Sequence, residues 1–556
     1  MLKNTVLPCA LLVLSHSAFA QQLPTGGSQM QQIPPAPVAI KTPPKVDLRQ
    51  ASAPAVAVAD GMKITVNSLR VTGTRVYPEA ELLALTGFRP GSTLTLAELR
   101  GMAAKIANHF HRNGYFVAQA YLPAQDIKDG VVTIAVIDGR YGQVKVNNQT
   151  NLSGPLAEQM LAGLNNGDII DSAPLESRLL MLSDVPGVKV KSTLIPGASV
   201  GASDLIVDLT PGQRVSGSVD ADNAGNRYTG KYRAGATVNL NNPAGLADVA
   251  SLRVLTSGSG LNYARASYQV QLGKAKVGAA YSYLRYELGE EFESLQANGT
   301  VRVASVFASY PLVRSRNSNL STQLAYDDKT FQDKVDSTMS VTDKKARVLM
   351  ASLYGDHRDE FGGGGLNTYS LTLSNGDIDL QTPSAVAIDD VTARSNGRFS
   401  KLGFNAARLQ RITDTVSLYG AVSGQAASKN LDVSEKMELG GMYAVRAYPE
   451  GEAYADQGYL LSLEARVELP RFSATQTGQL QLIGFVDTGS VTLNKNPWTD
   501  GSNRRTLSGA GVGLNWTDHT NNFVVKAYYA RKLGNEMATS APDKSGRFWI
   551  QGVKYF

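Results

Sequence analysis

The sequence predicts a mixed fold: two small α/β domains followed by a transmembrane antiparallel β-barrel of about sixteen strands. Three observations carry that prediction. A secretory leader opens the chain. Two stretches repeat a strand and helix order. Everything after about residue 213 alternates apolar and polar residues between Gly, Asn, Asp and Ser clusters. Residues 213–556 number 344. A barrel strand of about ten residues with its turn or loop takes up roughly twenty, which sets the strand count.

The leader spans residues 1–20. Lys3 supplies a positive start, residues 6–14 an apolar core, and Ala18-Phe19-Ala20 a small-x-small cleavage site before Gln21. The sole cysteine, Cys9, lies inside it, so the mature chain has neither a disulfide framework nor a thiol nucleophile. No later apolar run approaches the roughly twenty residues of a membrane helix. The chain is 43% apolar, with 53 Gly and 23 Tyr, which suits strands that cross a membrane by alternation. A formal net charge of +6 is small for 556 residues and gives no nucleic-acid signal.

Residues 21–61 form a Pro-rich linker carrying Pro24, Pro34, Pro35, Pro37, Pro43, Pro44 and Pro54. The prolines and Gly26-Gly27 break most candidate helices, leaving residues 46–50 as the short helical prospect. Residues 62–139 read as the first α/β domain. A strand over 64–71 precedes a helix opened by Pro78. Thr95-x-x-Glu98 is a capping box for a second helix with Leu99, Met102, Ile106 and Phe110 on one face. Strands over 115–122 and 131–137 flank Asp129-Gly130. Residues 140–212 repeat the pattern more loosely, with helices near 155–164 and 174–182, each opened by a proline.

The barrel region begins with alternating runs at 214–222, 232–240, 248–256, 263–272 and 276–286. Within it, Val445-Arg446-Ala447-Tyr448 places a cation in a Gly-rich loop, and Phe485-Val486-Asp487-Thr488-Gly489 places a carboxylate in a strand. Strand alternation puts Ile483, Phe485, Asp487 and Gly489 on one face. Charge pattern alone also suits an ordinary exposed loop cation at Arg446. A charge within a barrel wall is costly unless paired or wet, so the two together are a candidate functional pair.

Residues 440–448 resemble the VRGY/F loop of the TpsB family of two-partner secretion transporters, the ShlB/FhaC/HecB-like hemolysin secretion/activation proteins. The Phe485-x-Asp487-x-Gly489 segment looks like the strand motif that meets this loop. Ala447 stands where the family usually has glycine. The β-α-α-β-β order resembles the periplasmic POTRA domain of the same POTRA–barrel superfamily. The resemblance implies two periplasmic POTRA domains, a sixteen-stranded outer-membrane barrel, a possible plug region within residues 21–61, and an Arg446–Asp487 contact that folds the loop into the pore. It implies a secreted TpsA-type exoprotein as partner, whether adhesin, hemolysin or contact-dependent toxin. Val117, Gln119 and Tyr121 are the candidate POTRA positions for binding it by strand addition. It also implies barrel-assembly machinery for insertion, helped by a C-terminal strand ending in Phe556, and outer-membrane lipids around the wall. A barrel-assembly factor and a passive porin are the competing readings.

Nothing else in the sequence carries chemistry. His109 and His111 fall on different faces of a predicted helix, and His357 and His519 lie apart, so no metal ligand set forms. There is no nucleophile elbow, and the glycines at 362–365 lack the Lys-Ser/Thr of a phosphate loop. The reading is therefore a non-enzyme with no cofactor. Tyr528, Tyr529, Trp549 and Tyr555 are expected in the aromatic girdles at the membrane interfaces.

Overall fold

A computed structural model describes residues 23–38, 63–471 and 477–556. The leader and the helical prospect at 46–50 lie outside the described residues. The rest forms two α/β units in sequence and one closed barrel of sixteen strands.

In the first unit, Ser68–Thr72 pairs in parallel with Val131–Ile137, and Gln119–Tyr121 pairs antiparallel along the other side. The strand expected over 64–71 is broken at Asn67. The N–H groups of Asn67 and Ser68 both donate to Gly130 O, at 2.8 and 3.2 Å, and turn the chain. Lys63–Val66 therefore pairs with Ser92–Thr95 in a separate ribbon. The long helix Leu96–Arg112 is capped at Thr95: Glu98 N–H donates to Thr95 Oγ1 at 3.2 Å, and Thr95 N–H donates back to Glu98 Oε2 at 2.7 Å. It buries Leu99, Ala103, Ile106 and Phe110 against Ile134 and Val136.

The strand expected over 115–122 shortens to Gln119–Tyr121. Tyr115 N–H is taken by Phe110 O at the helix end, and Ala118 N–H by Tyr115 O. The second unit repeats the plan with the sheet Arg140–Asn148, Ala202–Pro211, Val188–Pro196 and helices Gly154–Met160 and Ser172–Ser183. It sits on the near rim of the barrel. Arg314 holds Asp184 through two bonds of 2.7 and 2.8 Å, and Ser153 N–H donates to Gly245 O at 2.8 Å.

The barrel runs from Val215–Asp222 to Gly546–Tyr555, which pair with each other and close it. Strands range from 8 residues at the seam to 20 in Ser340–Asp359, so one side of the wall extends well past the other. Alternation follows the sequence: in Gln479–Thr492, Ile483, Phe485 and Asp487 are buried inside, while Leu482 and Val486 face out.

Inside the lumen lies a short helix within the possible plug region, α1 (Gly26–Gln31), at the glycines expected to break one. Six residues with two glycines would not hold a helix alone. Tertiary contacts impose it, and the glycines are there for close approach. A Cβ on Gly26 would lie 2.8 Å from Val301 Cγ2, and one on Gly27 would lie 3.0 Å from Ser434 Cβ. Asp333, held by the Tyr286 hydroxyl at 2.7 Å, accepts Gly26 N–H at 2.7 Å. Leu23, Met30 and Ile33 pack on the apolar lining of the wall.

Candidate functional site

The chain between strands Val416–Ala427 and Gln457–Glu468 enters the barrel from the far rim and folds down into it. Its descending part is fixed by charge. Lys344 holds Asp432 at 2.9 Å, and Lys329 and Lys401 hold Glu435 at 2.8 and 2.9 Å. Asp456, fully buried where the loop returns, pairs with Lys436 at 2.9 Å and accepts Leu431 N–H at 2.9 Å. Glu452 pairs with Arg505 at 2.8 Å.

The tip carries Arg446, which is 5% exposed. Its Nε donates to Asp487 Oδ2 and its Nη2 to Oδ1, both at 2.8 Å, and its own N–H reaches Oδ2 at 3.2 Å. Nη1 meets Glu464 Oε1 at 2.9 Å. Ser462 Oγ donates to Asp487 Oδ1 at 2.8 Å. The guanidinium stacks on Phe485, 3.5 Å from the ring centroid. One cation thus meets two carboxylates and an aromatic face, in the bidentate geometry that fixes direction as well as distance.

Neighbouring positions are small for a reason. Ala447 is fully buried, and a Cβ on Gly509 would stand 2.4 Å from Ala447 Cβ. The methyl at 447 is accommodated by the missing side chain at 509. Likewise a Cβ on Gly489 would meet Leu439 Cδ1 at 2.3 Å. Val445 and Tyr448 are fully buried, and the Tyr448 hydroxyl donates to Glu536 O at 3.0 Å.

Two of the expected girdle residues serve this site instead. Tyr528 is buried, edge-on to Phe485 at 6.0 Å between centroids, and Trp549 Nε1 donates to Arg446 O at 2.7 Å. Alternation within the final strands put them on the lumenal face, whereas Tyr529 faces out at 47% exposed. Glu464, Ser462 and the loop-anchoring lysines were missed as well. Glu464 and Ser462 share the inward parity of their strand, a usable signal that says nothing of what the loop brings to them.

Of the α/β candidates, Gln119 and Tyr121 are exposed on the edge strand of the first unit. Val117 is not at that edge. It is buried in the hydrophobic cluster of the second unit, which also holds Tyr141 and Leu175, so it joins the two units rather than facing a partner.

The helix and the loop hold each other. Gln31 Nε2 donates to Val433 O at 2.5 Å, Gln32 to the Tyr454 hydroxyl, and Arg233 Nη1 to Gln32 O at 3.0 Å. Arg233 is itself paired with Asp222 at 2.9 Å. Beside them Glu450 Oε2 is buried with no hydrogen-bond partner among the described residues. Burial pushes this carboxyl up to about 7 against the opposing charge of Arg233, with repulsion from Asp222 adding to the rise, and burial with the charge of Glu450 raises Glu438.

The docked loop therefore binds more protons than a released one, whose glutamates titrate near 4.5. The contribution of Glu450 to docking is complete below that value and is lost as pH rises to about 7. It is opposite in sign to the Asp432 and Glu435 pairs, whose carboxyls, despite burial, their lysines hold below the ordinary range. Thiol labelling of Val445→Cys, normalised to the thiolate fraction, should rise across that window. Glu450→Gln should flatten the rise, and an unchanged rise would refute the assignment.

A closed barrel with a filled lumen and α/β units on one rim defines an outer-membrane transporter architecture. The family model for haemolysin secretion/activation protein ShlB/FhaC/HecB matches residues 201–516, more than half of the chain, and that for the POTRA domain, ShlB-type, matches residues 64–139. The chain belongs to the ShlB/FhaC/HecB family.

It is 27% identical to the heme/hemopexin transporter protein HuxB of Haemophilus influenzae, covering 98% of this chain and 97% of that protein. It is 24% identical to the outer membrane transporter CdiB of Dickeya dadantii, over 82% and 80%. The solved structure of CdiB from Escherichia coli superposes with a TM-score of 0.69 at 21% identity, covering 91% and 93%, and shares the fold. The protein is an outer-membrane transporter of the two-partner secretion type, with its N-terminal domains in the periplasm. The near rim is thus periplasmic, and the loop bearing Arg446 enters from the cell surface.

Proposed function

We propose that this transporter takes up one unfolded exoprotein in the periplasm, threads it through the barrel lumen, and delivers it to the cell surface or medium. The observation that supports this best is the nature of the obstruction. The wall does not close the lumen; two segments do, α1 and the loop tip, and each is held by specific contacts that can be released. Among the described residues, the POTRA edge at Gln119–Tyr121 has no strand paired along one side, which suits it to capturing an extended chain as an added strand. The loop bearing Val445, Arg446, Ala447 and Tyr448 then leaves Phe485, Asp487 and Gly489, and the chain passes. Folding outside, which buries apolar surface and prevents return, supplies direction without nucleotide.

On this reading residues 1–20 are the leader, 21–61 carry the plug, 62–139 and 140–212 are the two POTRA domains, and 213–556 the barrel. The chain works without cofactor or catalysis. The barrel-assembly machinery inserts it among outer-membrane lipids. Its partner is an adhesin, hemolysin or contact-dependent toxin. The likeness to HuxB adds a heme- or hemopexin-handling exoprotein to the partners to be tested.

Comparative proteomics of medium, surface and outer membrane, with and without the gene, tests this. Loss of one large exoprotein with other barrels intact is the expected result. Broad loss of outer-membrane barrels would favour an assembly factor, and no change a passive channel.

A further inference from the structure

Directly on the periplasmic side of the loop tip the lumen holds a cavity of about 620 Å³. Small polar side chains line much of it, among them Ser370, Asn405, Ser423 and Ser462. Its charged lining is uneven: Arg446, Arg466 and Lys526 face it, against the single carboxylate of Glu464. That carboxylate is fully engaged. Oε1 binds Arg446 at 2.9 Å, and Oε2 binds Arg466 Nε at 2.8 Å and Nη2 at 2.7 Å. Asp487 behind the tip is likewise committed to Arg446 and Ser462. Arg466 is fixed further by stacking over Tyr419, 4.4 Å from its centroid.

Lys526 is different. It shares the inward parity of Tyr528 on the strand Phe523–Lys532 and lines the cavity, yet among the described residues it makes no hydrogen bond or ion pair. A partly buried ammonium beside two guanidiniums, with the one nearby carboxylate already shared, lacks a counter-charge that a ligand can supply.

We propose that this cavity receives the first extended segment of exported polypeptide to reach the loop, and that it selects segments carrying Asp or Glu side chains, which pair with Lys526. The inference rests on the export reading and adds the chemistry of what is received. The serines and asparagine of the wall offer exchangeable hydrogen bonds to any extended backbone, so the backbone is bound without regard to sequence. The cationic excess distinguishes side chains by charge and places a carboxylate beside the Arg446–Glu464 contact that the chain must pass.

The test uses the full-length protein in detergent and fluorescent Gly/Ser peptides carrying either Glu or Lys, with affinity read by anisotropy. Glu peptides should bind about tenfold more tightly than Lys peptides, and added salt should erode the difference. Lys526→Met should bring the two near parity, and Lys526→Glu should reverse the order. Both variants are first checked for wild-type barrel heat-modifiability. Equal binding of the two peptides by the wild type, or a preference that survives Lys526→Glu, overturns the proposal. Export in the same strains separates it from the reading beneath it. If deleting the gene abolishes secretion while peptide binding is indifferent to charge, the transporter reading stands and the acid-selective site falls. If deletion leaves every exoprotein in place, both fall.

Discussion

Asp487→Ala should abolish most export while the barrel still inserts. The substitution removes both side-chain acceptors of the Arg446 fork and the acceptor for the Arg446 N–H. What remains is a nearly buried guanidinium held by Glu464 and by the Phe485 face. Breaking one partner of a shielded pair costs about 3–5 kcal/mol, less here because the cavity beneath the tip admits water. A loss of about 3 kcal/mol shifts the docked-to-released ratio of the loop by roughly two orders of magnitude, so the loop seldom re-docks and the defined path that its docking and release give the exported chain is lost.

Arg446→Ala should act in the same direction for the opposite reason. It leaves Asp487 and Glu464 facing one another without the cation between them, and empties the space over Phe485. Arg446→Lys keeps the charge but not the two-pronged geometry, and should recover only part of the function. Heat-modifiability on gels reports insertion and immunoblots of the medium report export. Secretion at the wild-type level by both alanine variants would remove the pair from the mechanism.

The second large effect is on the plug. Gly26→Val puts a branched side chain where Val301 Cγ2 already leaves only 2.8 Å to a Cβ. Overpacking of this kind costs about 1–3 kcal/mol. That corresponds to about a 5- to 150-fold rise in the fraction of barrels with α1 displaced. Planar-bilayer recordings should show more frequent large openings, and cells should admit bulky antibiotics that the wild type excludes. The helix shares contacts with the descending loop, through Gln31 to Val433 and Gln32 to Tyr454, so the same variant should also raise thiol labelling at Val445→Cys. Openings without any change in labelling would show that helix and loop move independently.

The barrel and the α/β units were legible because their signals are periodic. Alternation placed Asp487 inward, and the Thr95–Glu98 box marked the start of a long helix. Features that depend on distant surfaces were not legible. The glycines at 26 and 27 read as helix breakers in isolation, yet they are what lets α1 approach Val301 and Ser434. Trp549 and Tyr528 read as interface aromatics because composition does not say which face of a strand a loop will later occupy. Val117 looked like an edge residue until the turn at 115–118 shortened the strand and buried it in the second unit. The methyl of Ala447 departs from the usual glycine, and its accommodation is written 62 residues away, at Gly509.

The central claim is that the exported chain passes where α1 and the loop tip now sit. With the exoprotein identified by gene deletion, a photo-crosslinking residue can be placed at Ser423 in the lumen and, separately, at Val512 on the outer face. Irradiation during export should give an adduct with the exoprotein from Ser423 and none from Val512. Adducts from Val512 with none from Ser423 would contradict passage through the lumen.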